Sequence, residues 1–206
     1  MKRTAWVANV YTLVLVLCAV VTTGLLVRRE LAVPSTQAGG SPLGPDRVLS
    51  GWKSIVSAGH RDGPDTARVV VLVFADFECP ACRRFATHAV PGVRAKFGDQ
   101  VAIVFRHWPL SYHRFALPAA RAAECASAQG RFWPFHDRMF AAQDSLGIKP
   151  FIAVAKEAGV PDIAAFEECI ASQSPVPVVE RDLKVAESTG AGGTPAIAVN
   201  GRLLGG

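Results

Sequence analysis

The stretch Arg68-Val-Val-Val-Leu-Val-Phe-Ala-Asp-Phe-Glu-Cys-Pro-Ala-Cys82 carries the reading of the fold. Its first half, Arg68 to Phe74, is a continuous β-branched and apolar run. Such a run has no polar alternation to present to water, so it predicts a strand buried on both faces, near the centre of a parallel or mixed sheet. Ala75 to Glu78 is a short connection. A helix then fits Pro80 to about Phe97, with a bend near Pro91. Cys79 falls at the cap position of that helix and Pro80 at its first position, where a missing N–H costs nothing.

This junction has a chemical consequence. Cysteines at i and i+3 on a helix share a face and lie close enough to bridge. The unpaired N–H groups and positive dipole end of the helix favour a thiolate at Cys79 and lower its pKa. Cys82, one turn in, is less exposed and suits a resolving thiol. A bare C-x-x-C also serves metal sites, normally with a second such pair or a His pair, and it can be a plain structural disulfide. No second pair exists in this chain, so redox exchange is the favoured reading.

The rest of the chain arranges itself around that junction. Val101 to Phe105 predicts a second buried strand. From about Tyr112 to Glu187 the pattern is helical, with an alanine-rich helix through Ala119, Ala120, Ala122, Ala123, Ala126 and Ala128, and a stripe of Phe132, Phe135, Met139 and Phe140. Phe151–Ala158, Asp162–Ala171 and Val178–Ser188 predict further helices. Ala196–Val199 returns to strand composition, and Asn200-Gly201 is a two-residue hairpin signal. A short helix is expected over Asp46–Ala58, with Val48, Leu49, Trp52, Ile55 and Val56 on one face. The order is that of an α/β domain interrupted by an all-helical insert.

The N-terminal part differs in kind. Trp6 to Val27 contains no charged residue; its roughly 22 residues would span about 33 Å as a helix, matching a bilayer core of about 30 Å. A cleaved signal peptide has a shorter apolar core and a small-x-small site, so an uncleaved signal anchor is the favoured reading and a cleaved signal the alternative. Cys18, inside the stretch, is taken as a membrane-embedded thiol without a catalytic role. Flanking basic residues nearly tie and leave topology open. Residues 28–46 are rich in Pro, Gly, Ser and Thr, as a flexible tether is. The expected organisation is a cytoplasmic N-terminus at residues 1–5, an anchor at 6–27, a linker at 28–46 and a domain at 47–206 with its helical insert at about 111–189. The formal charge is +5, from 22 basic and 17 acidic residues. Lys2 and Arg3 supply two of those positives, and the remainder is too weak and mixed to favour nucleic acid.

Four segments together resemble the DsbA-like branch of thioredoxin-fold proteins. Val71 to Cys82 looks like its first strand and active-site helix. Phe105-Arg-His-Trp-Pro-Leu110 is similar to the end of its next strand, Ala122 to Asp137 to its helical insert, and Gly193-Thr-Pro-Ala-Ile-Ala-Val-Asn-Gly201 to its Thr–cis-Pro strand. They cover roughly Ser50 to Gly206 in the family's order. The resemblance implies that Cys79 and Cys82 are catalytic, that Pro195 is cis and lies against them, and that Thr194 and Pro195 bind an extended substrate. It also implies a bridge between Cys125 and Cys169, of the kind some relatives with this insert carry; two buried free thiols are the alternative. The implied activity is thiol–disulfide exchange outside the cytoplasm. It would act as a dithiol oxidase on thiols of secreted or membrane proteins, be recycled by a membrane redox partner, and need no metal or organic cofactor.

Alternatives are a reductase or isomerase on the same scaffold, a membrane-anchored binding protein without turnover, and a metal-binding module. Ala81 stands where the best-known oxidases have His, which implies a less extreme oxidant. Family members also continue past the hairpin with a further strand and helix, whereas this sequence stops at Gly206; if no more follows, one sheet face is exposed or covered by a partner. Asp76 and Glu78 flank the site, either as proton relays for Cys82 or, the favoured reading, as solvated loop acids. His107, His113 and His136 are expected at helix ends or on the surface, and Trp108 and Trp133 in the core.

Overall fold

The computed structural model describes residues 16–23, 47–172, 174 and 176–204. It falls into two units, residues 1–42 and 43–206. In the first, residues 16–23 are helical, with Cys18 exposed. Most of the expected anchor and all of the expected linker lie outside the described residues. Among the described residues, no helix is long and apolar enough to cross a membrane.

The second unit is built on a five-stranded sheet. Its strands are β1 (His60–Asp62), β2 (Val69–Ala75), β3 (Val101–His107), β4 (Ala196–Val199) and β5 (Arg202–Leu203), in the spatial order β1-β3-β2-β4-β5. β2 and β3 run parallel, with Val69 opposite Val101 and Ala75 opposite His107. The pairings of β1 with β3, β2 with β4 and β4 with β5 are antiparallel. The continuous apolar run becomes the middle strand, buried on both faces as its composition requires. Val71, Val73 and Ala75 face one core and Val70, Leu72 and Phe74 the other. Asn200 and Gly201 both have positive φ, 47° and 83°, the backbone that a two-residue hairpin demands.

Helices cover both faces. α1 (Trp52–Ser57) is shorter than the helix expected from Asp46, because the chain before it joins the sheet edge: Val48 bridges Arg202, and the Leu49 N–H donates to the Gly201 carbonyl. The active-site helix is broken into α2 (Pro80–Arg84), a π turn (Phe85–Ala89) and α3 (Val90–Phe97). The expected bend near Pro91 takes the form of that π turn just before it. Pro91 has no N–H for the Thr87 carbonyl and its ring crowds that carbonyl. The Val90 N–H reaches back five residues to Phe85.

The helices between β3 and β4 are α4 (Ala116–Ser127), α5 (Phe132–Ala141), α6 (Phe151–Glu157), α7 (Ile163–Ala171) and α8 (Pro177–Ser188). The alanines of α4 and the Phe132, Phe135, Met139 and Phe140 stripe of α5 are buried. Small side chains on α4 let its neighbours close in, and Asp162 caps α7 by accepting from the Ala165 N–H at 2.9 Å. α8 differs from the expected insert in belonging to the sheet layer. Its Asp182 carboxylate lies 2.6 Å from the Arg106 guanidinium and accepts from the His107 N–H at 3.0 Å, with both charged side chains 1% exposed.

Candidate active site

Cys79 caps α2 with extended backbone (φ −73°, ψ 120°) and Pro80 follows at the first helical position. Four interactions fix the loop that delivers it. The Cys79 N–H donates to the Asp76 carbonyl at 3.2 Å, and the Arg83 N–H donates back to the Cys79 carbonyl at 3.1 Å. The buried Gln143 amide donates to the carbonyls of Phe77 (2.7 Å) and Cys79 (3.0 Å). Sequence reasoning passed over Gln143, since nothing local links it to a loop more than sixty positions away.

The peptide bond between Thr194 and Pro195 is cis. The chain places it beside the cysteine pair: the Cys79 thiol donates to the Thr194 carbonyl at 3.4 Å. The Thr194 hydroxyl is buried beside the two cysteine sulfurs. The four residues expected to form the site, Cys79, Cys82, Thr194 and Pro195, therefore converge across 115 positions of sequence.

Both cysteines are in the dithiol form and their environments push them apart. The Cys79 pKa is lowered to about 5. The facing Cys82 thiol is the largest cause. Burial opposes it, and the Thr194 side chain and the backbone N–H groups of Cys82 and Ala81 assist. Cys82 is 1% exposed, and burial, followed by the neighbouring Cys79 sulfur, pushes its pKa up so that it stays a thiol. The Asp76 N–H approaches its sulfur at 3.5 Å. A thiolate at the more accessible position, Cys79 at 7% exposure against 1% for Cys82, and a protonated thiol behind it are the division of labour that exchange through a mixed disulfide requires. Behind Cys82 lies a cavity of about 360 Å³ walled mainly by Val73, Ile103, Phe85, Val90 and Phe140.

Of the flanking acids, expected to be solvated, Asp76 is buried and Glu78 is partly buried. Asp76 is 1% exposed, accepts from the N–H groups of Glu78 (2.7 Å) and Leu110 (2.8 Å), and meets the His113 ring at 2.8 Å. Glu78 accepts from the Phe115 N–H at 2.6 Å. Both acids hold the loop after β3 against the loop before Cys79. Two of the three histidines also depart from expectation. His107 and His136 are buried, and burial lowers the pKa of His136 against the opposing pull of Asp137. His107 and His60, the latter unremarked in the sequence, share the Glu124 carboxylate. Burial alone would raise Glu124, but those two hydrogen bonds outweigh it and hold its pKa at about 2. Trp108 is buried in the core on one face of the sheet as expected, and Trp133 is partly buried against the core on the other face.

Cys125 of α4 and Cys169 of α7 are joined by a disulfide with a Cα–Cα distance of 5.8 Å. This bridge ties two helices of the insert together, well within the geometry that a disulfide tolerates.

Comparison with known proteins gives the same fold. A family model described as Thioredoxin matches residues 56–206. The chain is 40% identical over 145 residues to the Na(+)/H(+) antiporter NhaA of Herminiimonas arsenicoxydans, covering 70% of this chain but 23% of that protein. It is 38% identical over 146 residues to NhaA 3 of Salinispora tropica, covering 69% and 22%. It thus spans under a quarter of the curated relatives it matches. Among solved structures, oxidised BdbD from Bacillus subtilis superposes with a TM-score of 0.64 at 23% identity, covering 72% of this chain and 84% of that one. A thioredoxin-like oxidoreductase from Silicibacter pomeroyi gives 0.60 at 26%, covering 72% and 84%, and DsbA2 from Pseudomonas aeruginosa gives 0.55 at 28%, covering 69% and 82%. With a matched sheet, a cysteine pair at its helix cap and a cis proline against it, the chain belongs to the thioredoxin family, in its DsbA-like branch of thiol–disulfide oxidoreductases.

Proposed function

We propose that this protein is an extracytoplasmic dithiol oxidase, held at a membrane by the apolar stretch at residues 6–27. The observation that carries the direction of the reaction is the contrast between Cys79, stabilised as a thiolate at a pKa of about 5, and the buried Cys82 thiol. Stabilising the reduced form of a pair makes its disulfide the stronger oxidant.

The exchange proceeds in two displacements. A substrate thiolate attacks Cys79 Sγ of the Cys79–Cys82 disulfide; a mixed disulfide forms at Cys79, and Cys82 leaves and takes up a proton. A second substrate thiolate then attacks the substrate sulfur of that mixed disulfide. Cys79 departs as a thiolate, which its low pKa makes a good leaving group. The substrate loses two electrons and gains a disulfide, and the protein ends as the dithiol. Thr194 and Pro195 would align an extended substrate beside Cys79, with thiols of secreted or membrane proteins as substrates. A membrane redox partner would remove the two electrons and close the cycle.

The test is a redox titration of the Cys79–Cys82 pair against glutathione. The expected potential lies well above that of thioredoxin, about −270 mV. A value near thioredoxin's would replace this reading with a reductase. Charge-free Ala81 supports a potential short of the most oxidising members, about −120 mV.

A further inference from the structure

Three potential metal ligands converge away from the cysteines, on three different elements. His60 is on β1, His107 ends β3 and Glu124 is on α4. Glu124 Oε1 lies 2.5 Å from His60 Nε2 and 2.7 Å from His107 Nε2, and the three ligand atoms all fall within 4.8 Å of one another. We propose that His60, His107 and Glu124 form a binding site for a divalent transition ion of the zinc class, which fastens the helical insert to the edge of the sheet.

The donor chemistry is that of a two-imidazole, one-carboxylate site, a set that zinc accepts with water as its fourth ligand. Both Nε2 atoms already point at the same small volume. A tetrahedral ion with bonds of about 2.0–2.1 Å holds its ligand atoms roughly 3.3 Å apart. The two close contacts need open by under about 1 Å, a distance that a pivot of the Glu124 side chain supplies.

The framework is stiff where a site needs it. β1 is paired to β3 in register, His60 opposite Phe105. The His60 ring lies flat on Phe132, with centroids 3.5 Å apart and planes 9° apart, which fixes its direction. The His107 N–H is anchored to Asp182. Access is one-sided: the His107 side chain is 1% exposed, while His60 and Glu124 are 19% and 14% exposed. An ion can enter past His60 and keep a water there.

The competing reading is a closed hydrogen-bond triad with no affinity for metal. Titration of the full chain with Co²⁺ and Zn²⁺ separates the two. The protein carries Cys18→Ser and no histidine tag, and its Cys79–Cys82 and Cys125–Cys169 pairs are oxidised, so no thiol is available. The expected result is uptake of one Co²⁺ with visible bands of a four- or five-coordinate ion, displaced by Zn²⁺. His60→Ala, at the exposed end of the triad, should weaken binding at least tenfold. X-ray absorption on the Zn²⁺-loaded protein without the His60 change should find only nitrogen and oxygen neighbours, including two imidazoles. No uptake at a hundred micromolar, uptake unchanged by His60→Ala, or a sulfur neighbour would each overturn the proposal. The absorption measurement does not depend on how the variant folds, and none of these outcomes bears on the redox assignment.

Discussion

The Cys79 thiol and the Thr194 carbonyl oxygen are 3.4 Å apart, although 115 positions separate them in sequence. This contact joins the helix cap that activates the sulfur to the strand where a substrate would lie. A sulfur hydrogen-bonded from several sides at a helix N-terminus titrates low, and here it does so at about 5. In a Cys18→Ser background, which removes the exposed third thiol, alkylation of the reduced Cys79–Cys82 pair with iodoacetamide should therefore rise with a midpoint near pH 5 and belong to Cys79. In a Cys79→Ala variant, Cys82 should remain unmodified through neutral pH. A midpoint near 8.5, the ordinary cysteine value, would mean that the cap does not act on the sulfur.

The same shift makes stability depend on redox state and pH. A group whose folded pKa is depressed contributes above its unfolded pKa and loses that contribution as pH falls through the folded value. For Cys79 the window runs from 9.0 down to about 5. At pH 7, midway through that window, the thiolate contributes on the order of 3 kcal/mol in favour of the reduced state. The oxidised protein has no thiolate and gains nothing. Denaturant unfolding should thus find the reduced form favoured relative to the oxidised form at pH 7.5, with the difference shrinking towards pH 5. A difference constant across that range would contradict the thiolate account.

Much of this site is legible in the sequence because its decisive features are local. A continuous apolar run before a capped Cys-Pro-Ala-Cys specifies a buried strand, a turn and a helix N-terminus without any tertiary information. Asn200-Gly201 announces its hairpin in the same way. β1 is illegible because His60, Arg61 and Asp62 have no period and little apolar character; only pairing with β3 makes them a strand. Asp76 looks like a solvated loop acid until Leu110 and His113, more than thirty positions on, fold over it. His107 looks like a surface residue because its Glu124 partner lies on a helix formed later in the chain. Burial of polar groups is decided by partners that sequence spacing does not reveal.

Gln143 is the clearest such case, and it makes a specific prediction. Its amide satisfies the carbonyls of Phe77 and Cys79 in a buried setting. Gln143→Leu keeps the bulk and leaves both acceptors without that donor, at a cost of about 1–3 kcal/mol. The loop should also lose its alignment over the N–H groups of Ala81 and Cys82, raising the alkylation midpoint of Cys79. A variant that loses stability but keeps a midpoint near 5 would assign Gln143 to structure alone.

The Cys125–Cys169 bridge closes a loop with a sequence separation of 44. Constraining the unfolded chain over that length contributes roughly 4 kcal/mol. Replacing both cysteines by Ala should lower the unfolding midpoint by about 10 °C. The effect should be the same whether Cys79 and Cys82 are oxidised or reduced. Thiol–disulfide exchange at the active site should persist at temperatures where the variant is folded.

Arg106 and Asp182 form an ion pair with both side chains 1% exposed, and Arg106 also donates to the Ile55 carbonyl at 2.6 Å. The pair joins β3 to α8, and through Ile55 to α1, so three elements meet on one buried guanidinium. Removing one charge strands the other: Asp182→Leu should cost about 3–5 kcal/mol. Replacing both, as Arg106→Met with Asp182→Leu, removes the desolvation penalty together with the attraction, and should recover most of that loss. Equilibrium unfolding of the two single variants and the double variant measures the coupling directly. Additive losses would show that the two charges do not act as a unit, and that α8 is held to the sheet by apolar contacts around Ala186 instead.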